Sequence, residues 1–222
     1  MQINYVFPHP IATIDVQDEI DNSKIVDTIE TLSEDITDES GSNWWDCKVI
    51  TSFNNDKVNL QFANQHVDFI KLVEQYANDY MVRVGWYTPH LPNRITQVWF
   101  NKYVEGHHFQ EAHNHGIHEV CAIYYATTDL TPTLFLNPNI HTFQNQYNVA
   151  EKTEVTRRDF DVQAQSGTLV IFPGYMVHMV PYIRKREIML QQNSEYELEK
   201  NRITIAMNFG KYEDSVLTKI GK

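Results

Sequence analysis

Histidine is concentrated in one short stretch of this chain, and its spacing there suits metal binding. Five of the ten histidines lie between His107 and His118, among them the pair His113-x-His115. Neutral imidazole is the commonest protein ligand for transition metals. Side chains alternate with period two along a β-strand, so an H-x-H pair on a strand directs both rings to one face. The sequence therefore predicts that His113 and His115 supply half or more of the protein ligands of a mononuclear iron site.

A third histidine follows a strand-like segment later in the chain. Residues 167–174 form a short apolar run that ends in Pro173-Gly174, and His178 lies four residues further on. The pair Arg202-x-Thr204 then begins the last predicted strand. In a rolled double sheet, strand ends that are distant in sequence lie opposite each other. We therefore expect His178 to face the first two histidines inside the fold.

Short β-strand patterns dominate the second half of the chain. Segments rich in β-branched and aromatic residues predict strands at residues 94–104, 118–127, 133–137, 168–172, 177–181 and 202–209, with a charged, edge-like segment at 152–163. Turn residues separate these segments and no helices alternate with them, which indicates a sandwich or barrel. We expect a single, mainly β domain with flanking helices. In it, residues 1–93 form a helical and extended segment that packs on a core formed by residues 94–222.

Apolar spacing predicts two helices in the N-terminal part. Ile25, Ile29 and Leu32 share one face of a helix that begins near Asn22. A second helix is predicted over residues 62–84, where apolar side chains recur at helical intervals. Each helix has one apolar face, so we expect both to pack on the outside of the sheet.

Composition and charge restrict the class of protein. The chain has 222 residues and a formal charge of −11, which argues against a general affinity for nucleic acid. Its two cysteines, Cys47 and Cys121, have neither metal-binding spacing nor a disulfide framework, which favours a reducing compartment. No segment has the pattern of a signal peptide or the roughly 20 apolar residues of a membrane span. We therefore expect a cytoplasmic protein with no membrane association.

The ordered motifs resemble one superfamily, the 2-oxoglutarate/Fe(II)-dependent oxygenases, and within it a bacterial and phage branch. The resemblance covers residues 94–210 and rests on short motifs in a set order. They are Asn101-x-Tyr103, Gly106, His113-x-His115, Tyr124-Tyr125, Ile171-Phe172-Pro173-Gly174, His178, Arg202-x-Thr204 and Asn208. Each motif alone is common, whereas the ordered set is specific.

The resemblance implies a fold and a cofactor set. It implies a double-stranded β-helix, the jelly roll also found in cupins, with Fe(II) bound by His113 and His178 and with His115 in the position usually held by a carboxylate. Arg202 and Thr204 would hold the distal carboxylate of 2-oxoglutarate, since the planar guanidinium matches a carboxylate. By the same resemblance, Asn101 and Tyr103 would contact the other polar atoms of this cosubstrate.

The activity that the resemblance implies is that of an oxygenase, most simply a hydroxylase. It would couple the decarboxylation of 2-oxoglutarate by O2 to the oxidation of a second substrate. A protein side chain, a small metabolite and a modified base all fit as that substrate. A homodimer is compatible with the sequence, although no residue pattern specifies the oligomeric state.

The chain departs from the usual family pattern in two places. A facial triad normally contains two histidines and one carboxylate, whereas His115 stands where Asp or Glu is usual and leaves the iron one negative charge short. Glu111 or Glu119 is the alternative source of a carboxylate. The segment of residues 184–200 lengthens the distance between His178 and the closing strand, and we interpret it as an insertion near the mouth of the site.

Two other functions fit parts of the pattern. The spacing His113-x-His115-x3-Glu119 also matches a cupin metal motif, and a cupin dioxygenase, isomerase or small-molecule binder needs no 2-oxoglutarate. Asn101, Tyr103 and Arg202-x-Thr204 discriminate between the two, because a cupin does not require them. A jelly-roll binding protein without catalytic activity is the third hypothesis.

Overall fold

Ten β-strands form two antiparallel sheets in the part of the chain that the structure describes. In this computed structural model, the described residues are 9–36, 49–86, 93–103, 109–139, 157–181, 201–210 and 215–220. The strands are β1 (Ala12–Asp15), β2 (Ile50–Thr51), β3 (Arg94–Tyr103), β4 (Gln110–His113), β5 (Val120–Tyr125), β6 (Asp129–Leu136), β7 (Asp159–Ala164), β8 (Thr168–Pro173), β9 (His178–Val180) and β10 (Arg202–Gly210). Residues 184–200, Gly106 and Cys47 lie outside the described residues.

The order of the strands is that of a double-stranded β-helix. The large sheet has the order β1-β8-β5-β10-β3-β2, and the small sheet has the order β4-β9-β6-β7. From β3 to β10 the chain passes repeatedly from one sheet to the other, which winds it into a jelly roll. This confirms the predicted fold class. The charged strand β7 lies at the edge of the small sheet, where polar side chains protect an unpaired edge.

The N-terminal part contributes strands as well as helices. Strand β1 pairs with β8, and β2 pairs with β3, so each adds a strand at one margin of the large sheet. Strands at these margins cover the hydrogen-bonding groups of β8 and β3. Through β1 and β2, the described part of the N-terminal segment is therefore hydrogen-bonded into the sheet that carries part of the candidate site.

The described α-helices are α1 (Asn22–Ser33), α2 (Asp56–Gln65), α3 (Val67–Val84) and α4 (Val216–Lys219), and a short 3₁₀-helix spans Gln17–Glu19. The apolar faces of α1, α2 and α3 pack in one cluster with side chains from the large sheet, as expected for outer helices. The side chain of Asp21 caps α1 by accepting a hydrogen bond from the backbone N–H of Lys24. None of the described helices is long and apolar enough to cross a membrane.

The single helix predicted over residues 62–84 is wrong, because the structure has two helices there. The backbone of His66 leaves the helical region with φ −126° and ψ 42°, which ends α2 and starts α3. Its buried ring hydrogen-bonds Thr28 Oγ1 at 3.0 Å and lies 4.8 Å from the ring of Phe62. This tertiary contact stabilises the break between the two helices. Hydrophobic periodicity alone does not predict such a break.

A buried carboxylate joins α3 to β3. Glu74 accepts hydrogen bonds from the backbone N–H of Ile95 and from Arg94 Nη1, each at 3.0 Å. Burial raises the pKa of Glu74, and the two hydrogen bonds and the charge of Arg94 oppose that shift. Glu74 therefore ties the outer helix layer to the strand that carries Trp99, Asn101 and Tyr103.

We predict that Glu74→Ala lowers the free energy of unfolding by about 2–3 kcal/mol, because it leaves the buried N–H of Ile95 without a partner. Glu74→Gln should cost less than half of that, since the amide oxygen can still accept from Ile95. Urea unfolding of both variants at pH 7 measures the difference. Equal losses for the two variants would show that the hydrogen bond to Ile95 contributes nothing.

Candidate metal centre

Three histidines from the small sheet and its connecting turn meet at one point. His113 is the last residue of β4 and lies directly opposite His178, the first residue of β9. His115 lies in the turn after β4, where its backbone N–H donates to the carbonyl of Gly174 at 2.9 Å. One ligand atom from each ring lies within 4.8 Å of the other two. Among the described residues, this is the one group of three or more metal-ligating side chains that are so close together.

The position of His115 differs in detail from the sequence-based expectation. An H-x-H pair on one strand was predicted, but β4 ends at His113 and the chain turns at Gly116, which has φ 57°. A register shift between Gln110 and His113 bends the strand just before this turn. The turn, and not the strand pleat, brings the ring of His115 within 5.6 Å of the ring of His113. The two rings still belong to one cluster.

Hydrogen bonds set the tautomer of each ring. Nδ1 of His113 is 2.8 Å from the carbonyl oxygen of Glu111, and Nδ1 of His178 is 3.0 Å from that of Met176. Nδ1 of His115 is hydrogen-bonded to the side-chain oxygen of Asn208. An oxygen acceptor requires a proton on Nδ1, which leaves the lone pair on Nε2. Each ring can therefore offer Nε2 to a metal, as metal-bound histidines with oriented Nδ1–H groups do.

Burial keeps the three imidazoles neutral. Desolvation lowers the pKa of His115 to about 4, although the hydrogen bond to Asn208 partly opposes this shift. Desolvation and the neighbouring histidines place the pKa of His178 well below its usual range, and burial also lowers the pKa of His113. A metal can bind only the neutral form of imidazole. At neutral pH, the three imidazoles are thus in the neutral form that can bind a metal.

No carboxylate of the described residues joins the cluster. Glu111 contributes its backbone carbonyl to His113, and its carboxylate is outside the group of three. Glu119 is exposed, and its backbone carbonyl accepts from the N–H of Gly174. The cupin motif would need the Glu119 side chain as a ligand, so the geometry does not support that alternative.

A buried guanidinium lies in the same pocket as the histidines. Arg202 is 2% exposed, and its Nη2 donates to Thr133 Oγ1 at 2.9 Å. Its guanidinium carbon lies 4.6 Å from the ring centre of Tyr103 and 5.5 Å from that of Tyr125. Nε and Nη1 of Arg202 are buried and have no partner among the described residues. A buried cation with unused donors is costly unless an anion binds there.

All seven residues that were predicted for the site line one pocket. Asn101 lies directly opposite Thr204 in the pairing of β3 with β10, and both are buried. The hydroxyl of Tyr103 donates to Gln110 Oε1 at 3.1 Å. The histidine cluster therefore lies in the same pocket as Arg202, Thr204, Asn101 and Tyr103.

The pocket also contains residues that the sequence analysis did not choose as site residues. They are Trp99, Gln110, Ile123, Thr133, Val180 and Ala206. Period-two alternation along β3 and β10 could have identified Trp99 and Ala206, which share a face with residues already chosen. Gln110 and Thr133 come from the small sheet, and no motif marks them.

Comparison with known proteins gives a family model and a fold. The model of a family described as "Putative 2OG-Fe(II) oxygenase" matches residues 97–208, just over half of the chain. No curated protein gives a significant sequence match. The matched segment contains all seven predicted site residues and Asn208.

Two solved structures resemble the whole fold. A prolyl-4-hydroxylase from Pseudomonas putida aligns with a TM-score of 0.53 and 12% identity, over 90% of this chain and 92% of the other. A non-heme alpha-ketoglutarate-dependent epimerase, SnoN from nogalamycin biosynthesis, aligns with a TM-score of 0.52 and 10% identity, over 90% of this chain and 78% of the other. At such low identity, the likeness establishes a shared fold only.

The lowered pKa values predict how the stability of the metal-free protein depends on pH. Between the folded-state pKa values and the unfolded value of about 6.5, the unfolded chain binds more protons, so stability falls as the pH falls. Each histidine that stays neutral in the folded state should contribute a slope that approaches about 1.4 kcal/mol per pH unit as the pH falls well below 6.5. Urea unfolding in the presence of a chelator measures this slope. His178→Phe removes one of these histidines, so it should reduce the slope by the contribution of one histidine. An unchanged slope would contradict the prediction.

Proposed function

We propose that this chain, which belongs to the 2OG-Fe(II) oxygenase family, couples the decarboxylation of 2-oxoglutarate to the hydroxylation of a second substrate. One observation carries the proposal: a cluster of three neutral imidazoles and a buried guanidinium with unused donors line the same pocket. The first fits a divalent metal, and the second fits the carboxylate of a dicarboxylic acid.

The donor set fits Fe(II). His113, His115 and His178 would hold the ion through their Nε2 atoms, because each Nδ1 is already used as a hydrogen-bond donor. Three ligands from one side of the ion would leave the other side for the cosubstrate and O2. When bound, Fe(II) supplies the activation of O2 and the oxidising power that protein side chains lack. The protein contributes the orientation of the three rings and the shape of the pocket.

Arg202 fits the distal carboxylate of 2-oxoglutarate. Its Nε and Nη1 keep unused N–H donors, and the planar guanidinium fork matches the oxygens of a carboxylate. The rings of Tyr103 and Tyr125 and the hydrogen bond to Thr133 hold this fork in one orientation. Thr204, one pleat away on β10, is the proposed second contact for that carboxylate.

Asn101, Tyr103 and Gln110 would hold the remaining polar atoms of the cosubstrate. The amide of Asn101 lies beside Thr204 on the neighbouring strand. Gln110 lines the pocket and accepts from the Tyr103 hydroxyl through its oxygen, so its amide nitrogen is the group that would donate to the ligand. Donors on both sides of the pocket therefore suit a ligand with a carboxylate at each end.

Charge explains why a dianionic cosubstrate suits a site of three histidines. The lining residues include one cation, Arg202, and no carboxylate. With a neutral ligand in place of the usual carboxylate, a bound divalent ion would keep one more unit of positive charge. Both centres of positive charge then favour a ligand with two negative groups.

The shared fold specifies neither the type of oxidation nor the second substrate. Of the two solved structures compared above, one is described as a prolyl-4-hydroxylase and the other as an epimerase. We propose hydroxylation, with a protein side chain, a small metabolite or a modified base as the candidate substrate. The net charge of −11 disfavours a long nucleic acid, since many phosphate contacts would be repelled.

Arg202→Met should weaken the binding of 2-oxoglutarate by at least about 30-fold, since loss of a buried charge partner costs 2 kcal/mol or more. Titration of the anaerobic Fe(II) protein with 2-oxoglutarate, followed by its visible charge-transfer band, measures the affinity. Arg94→Met is the control, because Arg94 pairs with Glu74 and does not line the pocket. Metal uptake without such a band in the unmodified protein would favour a function that does not use 2-oxoglutarate.

His178→Ala should abolish the retention of iron, because two remaining histidines cannot form a tridentate site. Iron content after anaerobic loading with Fe(II) and gel filtration measures the effect. His118→Ala is the control, since it removes a histidine near His113 and His115 whose ring lies outside the cluster. Full iron content in His178→Ala would refute the proposed ligand set. Succinate formation from 2-oxoglutarate in the unmodified protein then tests for turnover.

A further inference from the structure

The three rings of the cluster are held in two different ways. His113 and His178 each donate from Nδ1 to a backbone carbonyl two residues earlier in the chain. These contacts form with the local strand ends and need no distant residue. His115 instead donates to the side chain of Asn208, 93 residues away on β10. The Nδ1 of the third ring is thus hydrogen-bonded to the large sheet, through the side chain of Asn208.

Asn208 is itself held between two neighbouring strands. In the sheet, it pairs directly with Gln97 of β3 on one side and with Cys121 of β5 on the other. Its Nδ2 donates to Gln97 Oε1 at 2.7 Å, and its Oδ1 accepts from Cys121 Sγ at 3.2 Å. The acceptor on one side and the thiol donor on the other both require the same orientation of the amide. The side-chain oxygen of Asn208 therefore faces His115.

Two aromatic side chains also contact the imidazole ring of His115. Trp99 stacks on this ring, with centroids 5.7 Å apart and an interplanar angle of 29°. Phe172 meets it edge-on at 6.0 Å. Both aromatic residues belong to the large sheet. They restrict the tilt of the ring, but only Asn208 distinguishes one ring nitrogen from the other.

We propose that Asn208 is the positioning residue that makes His115 a metal ligand. A carboxylate in this position would need no such partner, because both of its oxygens can bind a metal. An imidazole can bind through Nε2 only if its proton is on Nδ1, and an acceptor at Nδ1 ensures this. Histidine at position 115 therefore requires an oriented acceptor, which Asn208 supplies. This inference rests on the proposed function only in the identity of the metal.

The first test is made on the metal-free protein. In ¹⁵N-labelled protein, the imidazole nitrogens of His115 should have the signature of a single tautomer, with the proton on Nδ1. Asn208→Leu removes the acceptor but keeps the same number and branching of side-chain heavy atoms, and it should populate the tautomer with the proton on Nε2. Asn208→Asp keeps an oxygen acceptor and should retain the Nδ1–H tautomer. Retention of that tautomer in Asn208→Leu would overturn the proposal.

The second test measures metal affinity, with Co(II) as the spectroscopic probe and Fe(II) under anaerobic conditions. Asn208→Leu should bind either ion about 10- to 100-fold more weakly, the usual effect of removing such a partner. Asn208→Asp should restore most of the affinity. Full affinity in Asn208→Leu, or failure of Asn208→Asp to restore it, would count against the proposal.

The control is Asn22→Leu, which removes a different amide that joins two elements. Asn22 Nδ2 donates to the carbonyl of Ala126 at 2.7 Å and to Ser166 Oγ at 2.9 Å. This variant should unfold at a lower urea concentration and still have the wild-type tautomer and metal affinity. Equal losses of affinity in Asn22→Leu and Asn208→Leu would show that only stability is affected, and would overturn the proposal.

A second variant separates positioning from folding if Asn208→Leu does not fold. Gln97 is exposed, so Gln97→Leu should fold, yet it frees the Asn208 amide to rotate and should give a mixture of His115 tautomers. A single Nδ1–H tautomer in this variant would show that Gln97 does not orient Asn208. If the unmodified protein takes up neither ion, the proposed function fails, whereas the NMR result on the metal-free protein still decides the role of Asn208.

Discussion

The antiparallel pairing of β4 with β9 is the constraint on which the candidate site depends. It places His113 directly opposite His178, two residues that are 65 positions apart in the chain. Phe135 of the next strand lies opposite His178 and stacks on its ring, so the register of three strands is linked at this point. A slip of one residue would turn His178 to the other face of the sheet. The cluster therefore exists only when the small sheet has this register.

The site combines two features that do not favour the folded state when no ligand is bound. Three imidazoles are buried without charge, and a guanidinium is buried without an anionic partner among the described residues. The rest of the fold compensates through the helix layer on the opposite face of the large sheet and through the aromatic rings around Arg202. Ligands that bind these groups only in the folded state stabilise that state by mass action. Binding and stability are thus coupled at the same residues.

Much of this architecture could be predicted from the sequence, and the failures have physical causes. The strand segments and the first helix follow from hydrophobic periodicity, which reports how a residue is buried. Periodicity does not detect a break that is stabilised elsewhere, which is why the interruption at His66 was missed. Gln110 and Thr133 were missed for a related reason, because each has its role only through a partner, Tyr103 or Arg202, on another strand.

The sequence by itself determined which residues are the candidates for the site: the H-x-H pair, the later histidine and the Arg-x-Thr pair on the last strand. Residue type and order were sufficient for that, since imidazole and guanidinium have few other uses in such a pattern. Only the tertiary structure decided that His115, and not Glu111 or Glu119, joins the cluster. It also decided which nitrogen of His115 is free, through a hydrogen bond to a residue 93 positions away. Sheet register creates that contact, and register depends on the whole fold rather than on local sequence.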